Sequence, residues 1–135
     1  EKTDGDLNNY IKNQIKFDEL SEIEKINNLL YLSKLYYILF QFETIYGIIY
    51  GSQIRLLENL NSSPLAVSEV KSFFDSVVRA YPETLSKISL DAYLNFLEKN
   101  FLISFSKTNE ISITHTGQDF LLYLTTHRKN KNKLF

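Results

Sequence analysis

Two histidines are the only side chains of this chain that ordinarily titrate near neutrality, and neither stands where catalysis would need it. His115 and His127 lie far apart in sequence, and neither has a partner at metal-ligand spacing. The absence of cysteine removes disulfides, thiolate metal sites and a thiol nucleophile. No Gly-x-Ser-x-Gly elbow, His-Glu-x-x-His pair or phosphate-cradling loop occurs, and 4 glycines leave little material for such a loop. The carboxylates are scattered over what read as solvated helix faces. The expectation is therefore a protein with no enzymatic activity, no cofactor and no metal, in which His115 is a polar residue at the base of a hairpin.

What remains is binding chemistry. Residues 1–119 hold eleven Lys and Arg against sixteen Asp and Glu, whereas residues 120–135 hold Arg128, Lys129, Lys131 and Lys133 with no acid. That tail is the obvious handle for a polyanion, although a basic terminus more often only keeps a chain soluble. Composition is ordinary for one globular domain of 135 residues, with 44% hydrophobic and 23% charged residues. The lack of cysteine fits a reducing compartment, and the cytoplasm is the expected location. The chain starts at Glu1, as expected of a domain cut from a longer protein or freed of a tag, and no signal peptide is visible.

The elements that must carry any binding surface follow from periodicity. Residues 1–6 lack apolar groups other than Gly and are expected to be disordered, and apolar residues at 7, 10, 11 and 15 predict a short helix to about Phe17. Ser21-Glu22-Ile23-Glu24 is a capping box. Beyond it Ile23, Ile26, Leu30, Leu35, Leu39, Phe42 and Tyr46 recur at spacings of three to five. One long helix, or two with a bend near Gly47, should run from Glu22 to Leu60. Between Leu29 and Tyr50 the helix is apolar around most of its circumference, so it must be covered on several sides. Lys34, Gln41 and Glu43 argue against a membrane span there. The expected cover is a core plus a homodimer seam formed by Leu30, Leu35, Tyr36, Leu39, Phe42, Tyr46 and Tyr50; a ligand pocket among these aromatics is the other reading. Gly47-Ile-Ile-Tyr-Gly51 has the spacing that lets helices approach closely, or marks the bend.

Asn61-Ser62-Ser63-Pro64 is a turn, and Leu65-Ala66-Val67 a short extended piece. Ser68 should cap a helix ending near Ala80, where Tyr81-Pro82 stops it, and residues 82–88 read as a loop. Ser89 caps the next helix, with Leu90, Tyr93, Leu94 and Leu97 inward and Asp91, Asn95, Glu98 and Lys99 outward. The period then drops to 2: Ile103 and Phe105, then Ile111 and Ile113, predict a β-hairpin turning at Lys107-Thr108-Asn109-Glu110. Thr114 or Thr116 caps a last helix bearing Phe120, Leu121, Tyr123 and Leu124, and the basic residues after it suit its dipole.

The order helix, strand, helix, helix, hairpin, helix resembles the winged helix-turn-helix superfamily, as in MarR- and PadR-like bacterial regulators. Pro64-Leu-Ala-Val-Ser-Glu-Val70 resembles the strand that leads into the turn motif. Tyr93-Leu-Asn-Phe-Leu-Glu-Lys-Asn-Phe-Leu-Ile103 resembles a recognition helix running into the first wing strand, and Ile113-Thr-His-Thr-Gly-Gln-Asp-Phe-Leu121 the second wing strand and closing helix. The resemblance covers about 80 residues and implies a mostly α fold with a small β-hairpin wing, preceded by a long N-terminal helical segment. The domains are then 1–46, helices for dimerisation or interaction; 47–126, the winged-helix domain; and 127–135, the basic tail. In DNA-binding relatives the third helix of the domain lies in the major groove and the wing touches the backbone. Carried over, the groove side presents Ser89, Asp91, Ala92, Asn95, Glu98 and Lys99, and the wing tip Lys107, Thr108 and Asn109. Lys71, Arg79, Lys87, Arg128, Lys129 and Lys131 would supply phosphate contacts. The departure from the pattern is electrostatic, because this recognition helix has two acids, one lysine and no arginine. Two functions stay open: a dimeric DNA-binding transcriptional regulator, or a winged-helix module turned to protein–protein contact, for instance as the cytosolic part of a larger, membrane-anchored protein.

Overall fold

A computed structural model describes residues 4–134, apart from the side chains of Asp4, Asp6, Leu7, Ile11, Gln14, Ile15 and Phe17. The chain is mostly α with one small antiparallel sheet, as the two periodicities anticipate. It divides into two compact units, Glu1–Gln41 and Phe42–Phe135.

The first unit holds α1 (Asp4–Ile15), a 3-10 turn at Phe17–Glu19, and the larger part of α2 (Glu22–Ile48). The chain is helical from Asp4, which corrects the expectation of disorder through residue 6; residues 1–3 lie outside the described part. Polarity forbids burial, not helicity, so a solvated helix can start there. The capping box of α2 forms as expected. The Glu24 N–H donates to the Ser21 hydroxyl at 3.3 Å, and the Ser21 N–H donates to the Glu24 carboxylate at 2.8 Å. The Ser21 backbone N–H, and then the Ser21 hydroxyl, hold the Glu24 carboxyl below its usual range. Among the described residues, every buried side chain lies at Phe42 or beyond.

In the second unit α2 ends at Ile48 and α3 (Gly51–Ser62) follows, so there are two helices, broken at Ile49-Tyr50. Gln53 closes the break by accepting the Tyr50 N–H at 3.0 Å, and its own amide donates to the Tyr93 carbonyl at 2.9 Å. Next come β1 (Leu65–Ala66), α4 (Val67–Ala80), α5 (Pro82–Leu85) and α6 (Leu90–Lys99). The hairpin β2 (Ile103–Phe105) and β3 (Glu110–Ile113) leads to α7 (His115–Thr126).

Two local expectations need correction. Helix α4 is capped at Ala66, not Ser68. The Val67 N–H donates to the Asn109 carbonyl and the Glu69 carboxylate takes the Ala66 N–H at 2.8 Å, so sheet contact sets where the helix begins. Residues 82–85, read as loop, form α5, for which Pro82 supplies a preset first position and the fully buried Leu85 an anchor.

The sheet has the order β1-β3-β2. The hairpin pairs Ile103 with Ile113 and Phe105 with Ile111. The extended piece at 65–66 adds a third strand, setting Leu65 opposite Ile111. Helices α3, α4, α6 and α7 bury Leu57, Val70, Leu97, Phe120 and Leu124 with Ile111 of the sheet, each side chain contributing about 1.5–3 kcal/mol by removal from water. Phe42 meets the edge of Phe120 at 5.4 Å between ring centres, in the range where tilted aromatic pairs attract. At the start of α7 glycine is required sterically, since a Cβ on Gly117 would collide with the Leu102 carbonyl and the Ile113 side chain.

Candidate interaction surfaces

Helix α6 presents the residues a groove reader would use. Ser89 is committed to the backbone, accepting the Ala92 N–H at 3.1 Å as the helix cap. At the helical period Tyr93, Leu94 and Leu97 are buried while Asp91, Asn95, Glu98 and Lys99 are exposed. Asp91, Asn95 and Glu98 follow the spacing of one helix face. Among the described residues neither Asp91 nor Glu98 forms an ion pair. Leu90, Leu94 and Ala92 join Val67 and Phe105 in lining an open groove of about 410 Å³, whose other walls are Asp91, Asn95 and Glu98. The spacing of α6 points to the polar walls but not to Val67 or Phe105, because the start of α4 and the strand β2 reach the groove only through the tertiary fold.

The wing tip is built by backbone capture. Ser106 accepts the N–H groups of Thr108 and Glu110 at 3.2 and 3.1 Å, and its hydroxyl lies 2.9 Å from that of Thr108. Asn109 takes φ 58°, a left-handed value that asparagine tolerates in turns. Lys107, Thr108 and Asn109 are all exposed, as is Lys87 beyond α5. A second left-handed residue, Phe101 at φ 58°, ends α6, and the Leu102 N–H returns to the Leu97 carbonyl at 2.9 Å. Phe101 is 74% exposed.

The tail is folded back on its own unit. Lys129 pairs with Glu43 at 2.7 Å, and Lys131 with Glu58 at 3.2 Å. Lys133 donates to the Tyr46 carbonyl near the C-terminal end of α2 and lies 4.6 Å from the centre of the Tyr46 ring. The Tyr46 hydroxyl donates to the Asn130 carbonyl at 3.0 Å. Glu43 also accepts from the Tyr123 hydroxyl. Lys129, then Tyr123, hold the Glu43 carboxyl below its usual range; Glu43 in turn raises Lys129, and burial depresses Lys133. Backbone meets backbone at Gly51, where a Cβ would collide with the Lys133 carbonyl, so the close approach at this glycine is to the tail. The basic residues after α7 therefore reach α2 and α3 instead of resting on the dipole of α7. Only Arg128, at φ 51°, stays exposed and outside these contacts.

Of the seam residues, Leu30, Leu35 and Tyr36 are exposed and Leu39 partly so. Phe42 is 5% exposed against Phe120 and Tyr123, which takes it off any outer surface. Tyr46 lies under the tail, and Tyr50 sits half-buried at the break between α2 and α3. His115 is exposed at the first position of α7; His127 lies against the Tyr123 ring, 4.6 Å between centres. Among the described residues no group of three His, Asp or Glu side chains could hold a metal ion, and no helix is long and apolar enough to cross a membrane. Comparison with family models, curated proteins and solved structures gave no match.

Proposed function

We propose that this chain is a winged-helix module that works by protein–protein contact, as a homodimer joined along α2, and that it is not an enzyme. The observation that carries this reading is the pair of exposed acids on α6, Asp91 and Glu98, neither of which forms an ion pair among the described residues. The exposed face of α6 sets Asp91 and Glu98 where a DNA reader would meet phosphates. Lys129, Lys131 and Lys133, which could have offset them, are held by Glu43, Glu58 and Tyr46. Phosphate contacts supply most of the non-specific affinity of DNA-binding proteins. Residence in the cytoplasm belongs to the same proposal, and the cysteine-free composition suits it.

The dimer rests on the other unit. Ile23, Ile26, Leu30 and Tyr37, at intervals of three, four and seven, lie along one stripe of the helix and are 73%, 56%, 64% and 65% exposed. Between Ile26 and Phe42 the only charged residue is Lys34. Depletion of charge with aromatic enrichment is the composition of an interface centre.

The deciding experiment is an anisotropy titration with mixed-sequence duplex DNA at two salt concentrations. The expected result is no binding at low salt. Micromolar binding that falls steeply as salt rises would overturn the reading in favour of a DNA-binding regulator.

A further inference from the structure

The groove between α6 and the wing has an apolar floor and acidic ends. Leu90, Leu94, Val67 and Phe105 form the floor, and Phe105 remains 43% exposed although it stands on the same sheet face as the fully buried Ile111. A half-exposed aromatic beside a 410 Å³ opening is a seat for one large apolar side chain. Asp91 and Glu98 are walls of the same opening, two turns apart on α6, which is about 10 Å at the rise of an α-helix. Among the described residues no lysine or arginine pairs with either. Acids left unpaired at both ends of an apolar seat would repel an acidic ligand and leave a neutral one with two charges to desolvate. They are complementary to two cations on either side of an apolar anchor.

We propose that this groove docks a short basic segment of a partner protein, in which one large apolar residue sits between two Lys or Arg side chains about 10 Å apart. In an extended peptide side chains share a face only at every second residue, at about 3.3 Å per residue, so the two cations stand four residues apart, about 13 Å between their Cα atoms, with the apolar residue midway and their long side chains leaning in toward the two carboxylates. The pattern is basic, any residue, apolar, any residue, basic. This inference rests on the protein-interaction reading above and names the chemistry of the partner for that surface. The apolar side chain enters between Leu94 and Phe105, and the two cations meet Asp91 and Glu98 at the solvated rim. There the attraction sets orientation and specificity and weakens with salt.

The test uses the full chain and a fluorescein-labelled octapeptide, Gly-Arg-Ala-Phe-Ala-Arg-Ala-Gly. Two companions accompany it: one with both Arg replaced by Glu, and one with Phe replaced by Gly. The basic, anchored peptide is expected to bind in the micromolar range, each companion at least about tenfold more weakly, with affinity falling as salt rises. The double variant Asp91→Asn, Glu98→Gln should lower affinity about fivefold or more with an unchanged melting temperature, since both side chains are exposed. Glu83→Gln, at an exposed position of α5, should leave binding as it is. Equal binding of the acidic peptide, or a double variant as tight as wild type, would overturn the proposal. Failure of the octapeptide to bind, with no DNA binding either, would sink the groove proposal and leave the protein-interaction reading standing. Salt-sensitive binding of duplex DNA that the double variant strengthens would overturn both.

Discussion

Lys129 and Glu43 meet at 2.7 Å, joining the tail just beyond α7 to the last two turns of α2. Glu43 accepts from Tyr123 with the same oxygen, so one carboxylate gathers the tail, the last helix and the long helix. The consequence is functional as well as structural. A tail whose lysines are occupied by its own chain is a strap, and those lysines are not free to offset Asp91 and Glu98.

Loss of the strap should be visible by proteolysis. Lys129→Ala removes the pair with Glu43 and the approach of a cation to the Tyr46 ring, 5.2 Å from its centre. Trypsin should then cut at Arg128, Lys131 or Lys133 several times faster than in wild type, followed by mass spectrometry, while the rest of the unit resists. An unchanged cleavage rate would mean that the tail is held without this pair.

The acid limb of stability should report Glu43. Its carboxyl is held below its usual value of 4.5, so its contribution is present above that value and is lost as pH falls through the lowered one. Lys129 is raised, so its share is present below 10.5 and lost as pH climbs past it. Lys133, depressed by burial, acts in the opposite sense on that alkaline side. The clean test is therefore acidic. Between about pH 7 and about pH 3 the melting temperature of Glu43→Gln should fall less than that of wild type.

Three glycine substitutions should separate by surroundings. Gly47→Ala meets nothing within 4 Å and lies inside α2, so it should stabilise by about 0.5–1 kcal/mol. Gly117→Ala and Gly51→Ala meet backbone carbonyls and should each cost about 1–3 kcal/mol, with loosening of the tail as the second effect of Gly51→Ala. Thermal melts order them, and a destabilised Gly47→Ala would contradict this assignment.

Helix α6 offers an internal control. Leu97→Ala empties a fully buried site and should cost about 2–5 kcal/mol, whereas exposed Lys99→Ala should leave the melt nearly unchanged. Phe101→Gly should stabilise by about 1 kcal/mol, because glycine adopts the left-handed cap without strain and little buried area is lost. Equal melting temperatures for the Leu97 and Lys99 variants would show that the helix faces the other way.

Self-association should follow α2. The wild-type chain should sediment at about twice 15.8 kDa at micromolar concentration, and Leu30→Glu with Tyr37→Glu should return it to a single chain. Both positions are exposed, so the helix content of the second unit should survive the change. A wild-type monomer at that concentration would remove the dimer from the proposal.

What the sequence determined by itself is what neighbours along the chain decide. Ser21, Ser89 and Thr114 each cap the helix that follows, with the Gly117 N–H reaching Thr114 at 3.0 Å, because a cap needs only a side-chain oxygen and the N–H three residues on. The inward row of α6 and the alternation of the hairpin follow from periods of 3.6 and 2. Tertiary structure decided whatever depends on partners far along the chain. Ser68 lost its cap role because Val67 bonds Asn109 across the sheet, and residues 65–66 became a strand only through pairing with β3. Phe42 moved from an expected seam to the core because Phe120 and Tyr123 meet it there. The basic tail, legible as four charges, could not be seen as a strap, since Glu43, Tyr46, Gly51 and Glu58 lie some 70 to 90 positions away. Charge counted along a sequence does not say which charges are already paired, because the partners are brought together only by the fold.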